Sequence, residues 1–449
     1  VNVLEINEIG KFIRNKRKEQ GLRLEDLADE HISTATISNV ERGVPHVNKD
    51  KVLYLLDKLN INIKEIPKLM IENSENTERV ELTFTAMEAL IDLGKDEEAL
   101  LMLKSIPKRS IANYQAIQHL LQGKRFLQKQ QWKKAERELS EAIRYAEQDS
   151  YAQENNVIAS SYAELARCSF ERQDVDQALI YVERGVRAFQ KRGNHEDQLI
   201  YQLQLQQVTY LEQLGHTNEA IKYLELLWNS IDSIRKDGFV LEMYRLRAEL
   251  YLRMKLHHDA IVYAREGIRL ANGSRYQDHL FHLWVLLGKI YLEVEQLEHA
   301  ETCFHFVRGM VEYVRQPFDI VQAYLPMIQL ALKQDNIHLA DTIADESLKM
   351  IGQNTGDEWA LRSLYLKAQI EKQKKAWNQA VVHLERVISA TQENGFTELC
   401  FEACFALADC YMELHDDEKF LQVTKKMYSL QKESNLHTAE TFQQLGKQM

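Results

Sequence analysis

His258 to Ala264 reads "HDAIVYA". Alone it is a short helical stretch with Ala260 and Ala264 on one side. It decides the fold because it returns. Equivalent heptapeptides are "EEALLML" around Ala99, "KKAEREL" around Ala135, "DQALIYV" around Ala178 and "NEAIKYL" around Ala220. The series continues with "EHAETCF" at Ala300, "HLADTIA" at Ala340, "NQAVVHL" at Ala380 and "EKFLQVT", where Phe420 takes the place of the alanine. Successive spacings are 36, 43 and 42 residues, then 40 throughout.

A second small residue stands twelve positions earlier in many units: Gly123, Ala166, Ala248, Gly288, Ala368 and Ala408. Each unit therefore reads as helix, short turn and second helix, with small residues where the two helices cross closely. Val208 and Ile328 break this rule, so wider packing is expected there. The pattern resembles the tetratricopeptide repeat over about 370 residues, with helices about one turn longer than in the usual ~34-residue unit. One unit cannot bury its apolar stripe alone, so neighbours are expected to stack into a right-handed superhelix. Its first helices would line the concave side, a groove suited to an extended peptide or a partner helix.

The alanine anchors also set which side chains face inward: Lys124, Arg167, Gln202, Thr209, Arg245, Glu249, Lys289, Gln322, Gln329, Arg362 and Gln369. A glutamine amide donates and accepts at once, which matches a peptide backbone without choosing a sequence. Arg167, Arg245 and Lys289 could hold a carboxylate. Any one of these side chains could equally be a solvated groove residue with no ligand.

The first 66 residues have a different character, and their centre is "HISTATISNVERG", His31–Gly43. Ile9 to Glu19 reads as a helix ended by Gly21, and Leu22 to Glu30 as a second. After a turn at His31-Ile32, Ser33 or Thr34 caps a third helix that stops at Gly43. Asn48 and Asp50 open a fourth helix, and 62–69 reads as a short fifth. The stretches "IGKFIRNKRKEQGLRLEDLA", "STATISNVERG" and "NKDKVLYLLDKLNI" together resemble the helix-turn-helix domain of the phage-repressor-like (XRE) family. The resemblance implies that the third helix lies in the major groove of double-stranded DNA. It puts Thr34, Ala35, Ser38 and Asn39 at base edges and makes Ser33, Arg42 and Lys49 phosphate contacts. Arg17 and Glu41 match a pair that braces the first helix against the reader. The family's usual Thr-Gln at the start of helix two is Arg23-Leu24 here. A plain four-helix capping domain is the alternative. The expected division is 1–66 as head, 67–75 as linker and 76–449 as repeats.

Charge agrees with that division. The chain has 449 residues and a net charge of −11. Residues 1–66 hold eleven basic and eleven acidic residues, so the remainder carries the whole excess. Only the head is suited to a polyanion. Five cysteines, Cys168, Cys303, Cys400, Cys404 and Cys410, form no CxxC, which argues against a disulfide framework or structural zinc. His279 and His282 lack a third ligand at helical spacing, as do His257 and His258, so no metal and no cofactor is expected. No nucleotide-binding loop or catalytic constellation stands out, so an enzyme is not expected. No apolar run is long enough to span a bilayer and no signal pattern opens the chain, so a cytoplasmic location and no membrane partner are expected.

Head and repeats together resemble the RRNPP family of peptide-responsive quorum-sensing regulators. This resemblance implies an all-α protein whose DNA binding is switched by a short re-imported signalling peptide in the concave face. It implies self-association as a dimer or higher oligomer, expected through the terminal repeats around Phe396 to Leu430. Some relatives instead bind a response regulator of the sporulation phosphorelay, which makes an inhibitory scaffold the alternative function.

Overall fold

Every repeat turn closes on a residue with left-handed backbone, five positions before its anchor. These are Gly94, Gln130, Gln173, Gly215, Lys255, Glu295, Asp335, Lys375 and His415, with φ between 54° and 75°. In each turn two amides reach back to the first helix, as Lys255 N does to Leu252 O and Leu256 N to Tyr251 O, both at 2.9 Å. This pairing caps the orphan carbonyls of the helix end. Only two of the nine are glycines, so residue type alone does not mark the position.

The computed structural model describes residues 3–44, 48–61, 66–106, 114–189, 198–234, 237–271, 276–314, 317–352 and 357–445. Among these there are helices and turns and no strand. The head has α1 (Val3–Glu19), α2 (Leu24–Leu27), α3 (Thr34–Glu41) and α4 (Lys49–Lys58). Helix α2 is much shorter than the expected Leu22 to Glu30. Ala28 turns to extended backbone at ψ 143°, and the Asp29 carboxylate takes the amides of His31 and Ile32. The expected short helix at 62–69 lies partly outside the described residues. The stretch read as a linker, 67–75, is helical, within α5 (Ile66–Asp92).

Two contact-defined units divide the chain, Val1–Ser233 and Ile234–Met449. The first holds the head and four helix pairs: α5 with α6 (Asp96–Ser105), α7 (Gln115–Gln128) with α8 (Trp132–Ala146), α10 (Val157–Glu171) with α11 (Val175–Ala188), and α12 (Gln198–Gln213) with α13 (Thr217–Trp228). A short α9 (Ser150–Glu154) sits between the second and third pairs. The second unit has five pairs: α14 (Asp237–Arg253) with α15 (His257–Ala271), α16 (Gln277–Glu293) with α17 (Leu297–Met310), α18 (Pro317–Lys333) with α19 (Ile337–Ile351), α20 (Glu358–Gln373) with α21 (Trp377–Asn394), and α22 (Thr397–Glu413) with α23 (Asp417–Leu445). Within each unit the first helix of a pair packs on the first helix of the next, so these helices form a continuous inner layer. This is a tetratricopeptide-like solenoid preceded by a helix-turn-helix head, all-α as the sequence implies.

All eight anchor alanines are 0–1% exposed, whereas Phe420 is half-buried. At Gly123 an added Cβ would meet Leu139 at 2.6 Å, and at Gly288 it would meet Phe304 at 2.5 Å. The small residue is thus the seat for a large side chain of the second helix. Val208 and Ile328 are fully buried all the same. All five cysteines are buried, and burial pushes the Cys168 and Cys303 thiols up to about 11 and about 12.

Candidate functional site

The head is built so that α3 is held from behind and open in front. Ile37 and Val40 enter a core with Phe12, Ile13, Leu27, Ile32, Leu55, Leu56 and Leu59. Ser33 caps α3, its Oγ accepting from Thr36 N at 3.2 Å. Arg17 reaches under α3: Nε donates to Glu41 Oε1 at 2.5 Å and Nη2 to Oε2 at 2.9 Å. A third donor, Nη1, reaches Leu22 O at 2.8 Å. Both charged residues are buried, so the expected bracing pair is present. Gly10 makes the crossing of α1 and α3 possible, because a Cβ there would lie 2.3 Å from Val40 O. The run "EIGKF" does not announce that contact.

Asp29 is a second feature that the sequence reading missed. Its carboxylate accepts from His31 N at 2.8 Å, Ile32 N at 3.0 Å and Tyr54 Oη at 2.6 Å, and pairs with Lys58 at 2.5 Å. Lys51 Nζ donates to His31 O and Lys58 Nζ to Leu27 O. Helix α4 thereby ties down the turn that aims α3. Hydrogen bonds from Lys58 and Tyr54 hold the Asp29 carboxyl well below the usual carboxylate range. A depressed folded pKa means that this stabilisation is complete above the unfolded value, about pH 4, and is lost as pH falls below it. Amide exchange across residues 24–41 should therefore speed up below about pH 4. In Asp29→Asn the exchange should already be faster at pH 7, and its acid dependence weaker. An unchanged acid profile in that variant would show that Asp29 does not organise the turn.

On the open side Thr34, Ala35 and Arg42 are exposed, and Ser38 and Asn39 are half-buried. Arg42 Nη2 donates to Asn39 Oδ1 at 2.6 Å, and Arg42 Nε to Ser38 O at 3.3 Å. Asn39 and Arg42 are thus a coupled pair on this face. Lys49 opens α4 after the Asn48 cap, and its side chain lies outside the described residues.

On the inner helices the candidates prove partly matched to one another. In the first unit Lys124 pairs with Glu88, and with Glu164 at 3.6 Å, while Arg167 pairs with Glu164 at 3.1 Å. Burial works against the Lys124 ammonium, and Glu164 and Glu88 raise its pKa overall. Thr209 Oγ1 donates to Leu205 O, and Gln202 is half-buried on the same helix. In the second unit Arg245 grips Glu242 through two bonds of 2.7 and 2.9 Å, with His279 at 3.7 Å. Burial raises the Glu242 pKa, but Arg245 and His279 outweigh it and hold the group below its ordinary value. Arg362 pairs with Glu358, and His282 lies 3.5 Å from Asp319. Glu249, Lys289, Gln329 and Gln369 fall at one register position of successive first helices. Gln329 is exposed, and Glu249, Lys289, Gln322 and Gln369 are half-buried. Pro326 has no N–H to give the carbonyl of Gln322 one turn before it, which leaves an acceptor on this helix. Among the described residues no group of acidic, histidine or cysteine side chains is arranged to hold a metal. No helix of the described residues is long and apolar enough to cross a membrane.

Residues 13–66 match the family model described as Helix-turn-helix. The chain as a whole matches no curated protein by sequence. Among solved structures it is similar to the apo form of the quorum sensor NprR from B. thuringiensis, at 15% identity and TM-score 0.62, over 79% of this chain and 99% of that one. It is similar to NprR in complex with its cognate peptide NprX, at 14% identity and TM-score 0.52, over 77% and 98%. A Rap protein complexed with competence and sporulation factor has TM-score 0.56 at 10% identity, over 79% and 98%. At these identities the likeness establishes a shared fold.

Proposed function

We propose that this chain, a helix-turn-helix head on a solenoid with the fold of the RRNPP regulators, is a transcription regulator and not an enzyme. In this reading a short peptide bound along the inner helices sets how strongly the head binds its operator. The observation that carries the first half is the buried Arg17–Glu41 brace, which presents Thr34, Ala35 and the Asn39–Arg42 pair on one open face. Asn39 would read adenine, Ala35 would meet a thymine methyl, and Ser33, Arg42 and Lys49 would hold phosphates.

Support for the second half is the row Glu249, Lys289, Gln329 and Gln369, with Gln322 and its carbonyl nearby. Such groups suit the alternating donors and acceptors of an extended peptide. In the first unit, taken by itself, Lys124, Arg167, Gln202 and Thr209 are candidates of the same kind. Because Lys124, Arg167 and Arg245 already hold carboxylates, a peptide acid would have to exchange with Glu164 or Glu242. A ligand can shift operator affinity only by the difference in its affinity for the two states of the array. The operator would be read by two copies, and Phe405, Met412, Leu421 and Tyr428, all more than half exposed on α22 and α23, are the surface proposed to join them.

The test is selection of duplex sequences by the full chain, repeated with the small-peptide fraction of conditioned medium. Selected sites should show dyad symmetry, and the fraction should change affinity. Asn39→Ala should lose about tenfold in discrimination at one base position, the low end of 1–3 kcal/mol per bidentate contact, and keep peptide binding. Failure to enrich any sequence, combined with capture of a response regulator, would replace this reading by the inhibitory scaffold.

A further inference from the structure

The interval from Ala135 to Ala178 is 43 residues, three more than the regular 40. Short helix α9, Ser150–Glu154, lies in this interval. The segment 147–154, "EQDSYAQE", holds three carboxylates and no basic residue. It is firmly held. Asp149 caps α9 by accepting from Tyr151 N at 3.1 Å, and Gln153 Nε2 donates to Glu147 O at 2.7 Å. Tyr151 donates to Glu81 of α5 at 2.6 Å and packs its ring edge on Tyr114, while Ala152 is buried in the core of the second pair.

This corner faces the head. Glu147, Gln148 and Gln153 line one cleft with Arg14, Lys18, Arg23, Ser38 and Arg42, and Arg14 Nη2 lies 3.9 Å from Asp149 Oδ1. Arg17 in the same cleft is paired with Glu41, and Arg14, Lys18, Arg23 and Arg42 line it as well, with Glu25 as a further carboxylate. Burial lowers the Lys18 pKa, opposed by the charge of Asp149. Ser38 lies on α3, Arg42 caps its C-terminal end, and Arg23 precedes α2.

We infer that the 147–154 corner competes with DNA for this cationic cleft, so that the second repeat holds the head in a closed state. The inference rests on the head being a DNA reader. A phosphate backbone brings the same charge as the corner to the same cations. Glu147 and Gln153 line that cleft together with Ser38, Arg23 and Arg42, so a phosphate entering it meets the corner's own charge. Among the described residues the contact includes an ion pair of 3.9 Å between partly exposed groups. Pairs of that kind are weak and salt-screened, so the corner biases a population and does not lock it.

The experiment measures binding of a random-sequence 30-base-pair duplex by the full chain in about 50 mM salt, where screening is weak. The variant E147Q/D149N removes two charges and keeps the α9 cap, since asparagine caps as well as aspartate. A comparison variant, E298Q/E312Q, removes two exposed charges from the second unit. The corner variant should bind on the order of five- to tenfold tighter than the unmodified chain, and the advantage should fade as salt rises. The comparison variant should differ less than about twofold, as expected of exposed, screened charges outside the corner. Equal affinity of corner variant and unmodified chain would overturn the competition alone, as would an equal gain in both variants. If no form binds duplex, the DNA-reading assignment fails, and the competition with it. Matching circular-dichroism melting curves establish that the corner variant is folded.

Discussion

Gly10→Ala is expected to abolish duplex binding by the full chain, a loss of at least a hundredfold, while the repeat array melts as before. The added methyl would sit 2.3 Å from the Val40 carbonyl oxygen and 3.2 Å from that of Glu41. A flexible side chain could swing aside, but a backbone carbonyl inside the last turn of α3 cannot move without the helix. Overpacking of this kind costs about 1–3 kcal/mol, and more where backbone must shift. A head of this size has only several kcal/mol to lose. Even if it stayed folded, α3 would be displaced from α1, and the reading face would move with it. Binding within about threefold of the unmodified chain would show that the two helices tolerate a wider crossing than this geometry allows.

The second large effect is expected at the brace. Arg17→Ala or Glu41→Ala leaves one charge buried without its partner, and breaking such pairs costs about 3–5 kcal/mol. Either change should unfold the head and eliminate DNA binding. The double variant Arg17→Met with Glu41→Leu removes both charges and keeps apolar volume, a replacement that is often neutral or stabilising. It should recover most of the folding and most of the DNA affinity, because both side chains are buried and spent on each other. Recovery of folding without recovery of binding would show that Arg17 touches DNA and would overturn its structural role. Amide exchange of residues 34–41 separates the two outcomes.

These two sites differ in how far sequence reached them. The brace was legible, because Arg17 and Glu41 stand at matching places in a known helix-turn-helix pattern. Gly10 was not, since a glycine in a helix interior does not say which backbone approaches it. Asp29 was hidden for a related reason: its four partners come from its own turn and from α4. On the inner helices the sequence placed Lys124, Arg167 and Arg245 by register. It could not say that Glu88, Glu164 and Glu242 would already hold them.

The sequence by itself determined an all-helical chain, the nine-fold register of its repeats and the place of α3, with its cap narrowed to Ser33 or Thr34. All of these follow from local periodicity and from residue size at fixed intervals. Tertiary structure alone decided which charges are spent on one another, which carbonyl crowds Gly10, and that an extra short helix in the second repeat stands against the head. Those are pairings through space between residues distant in the chain, and a repeating pattern carries no record of them.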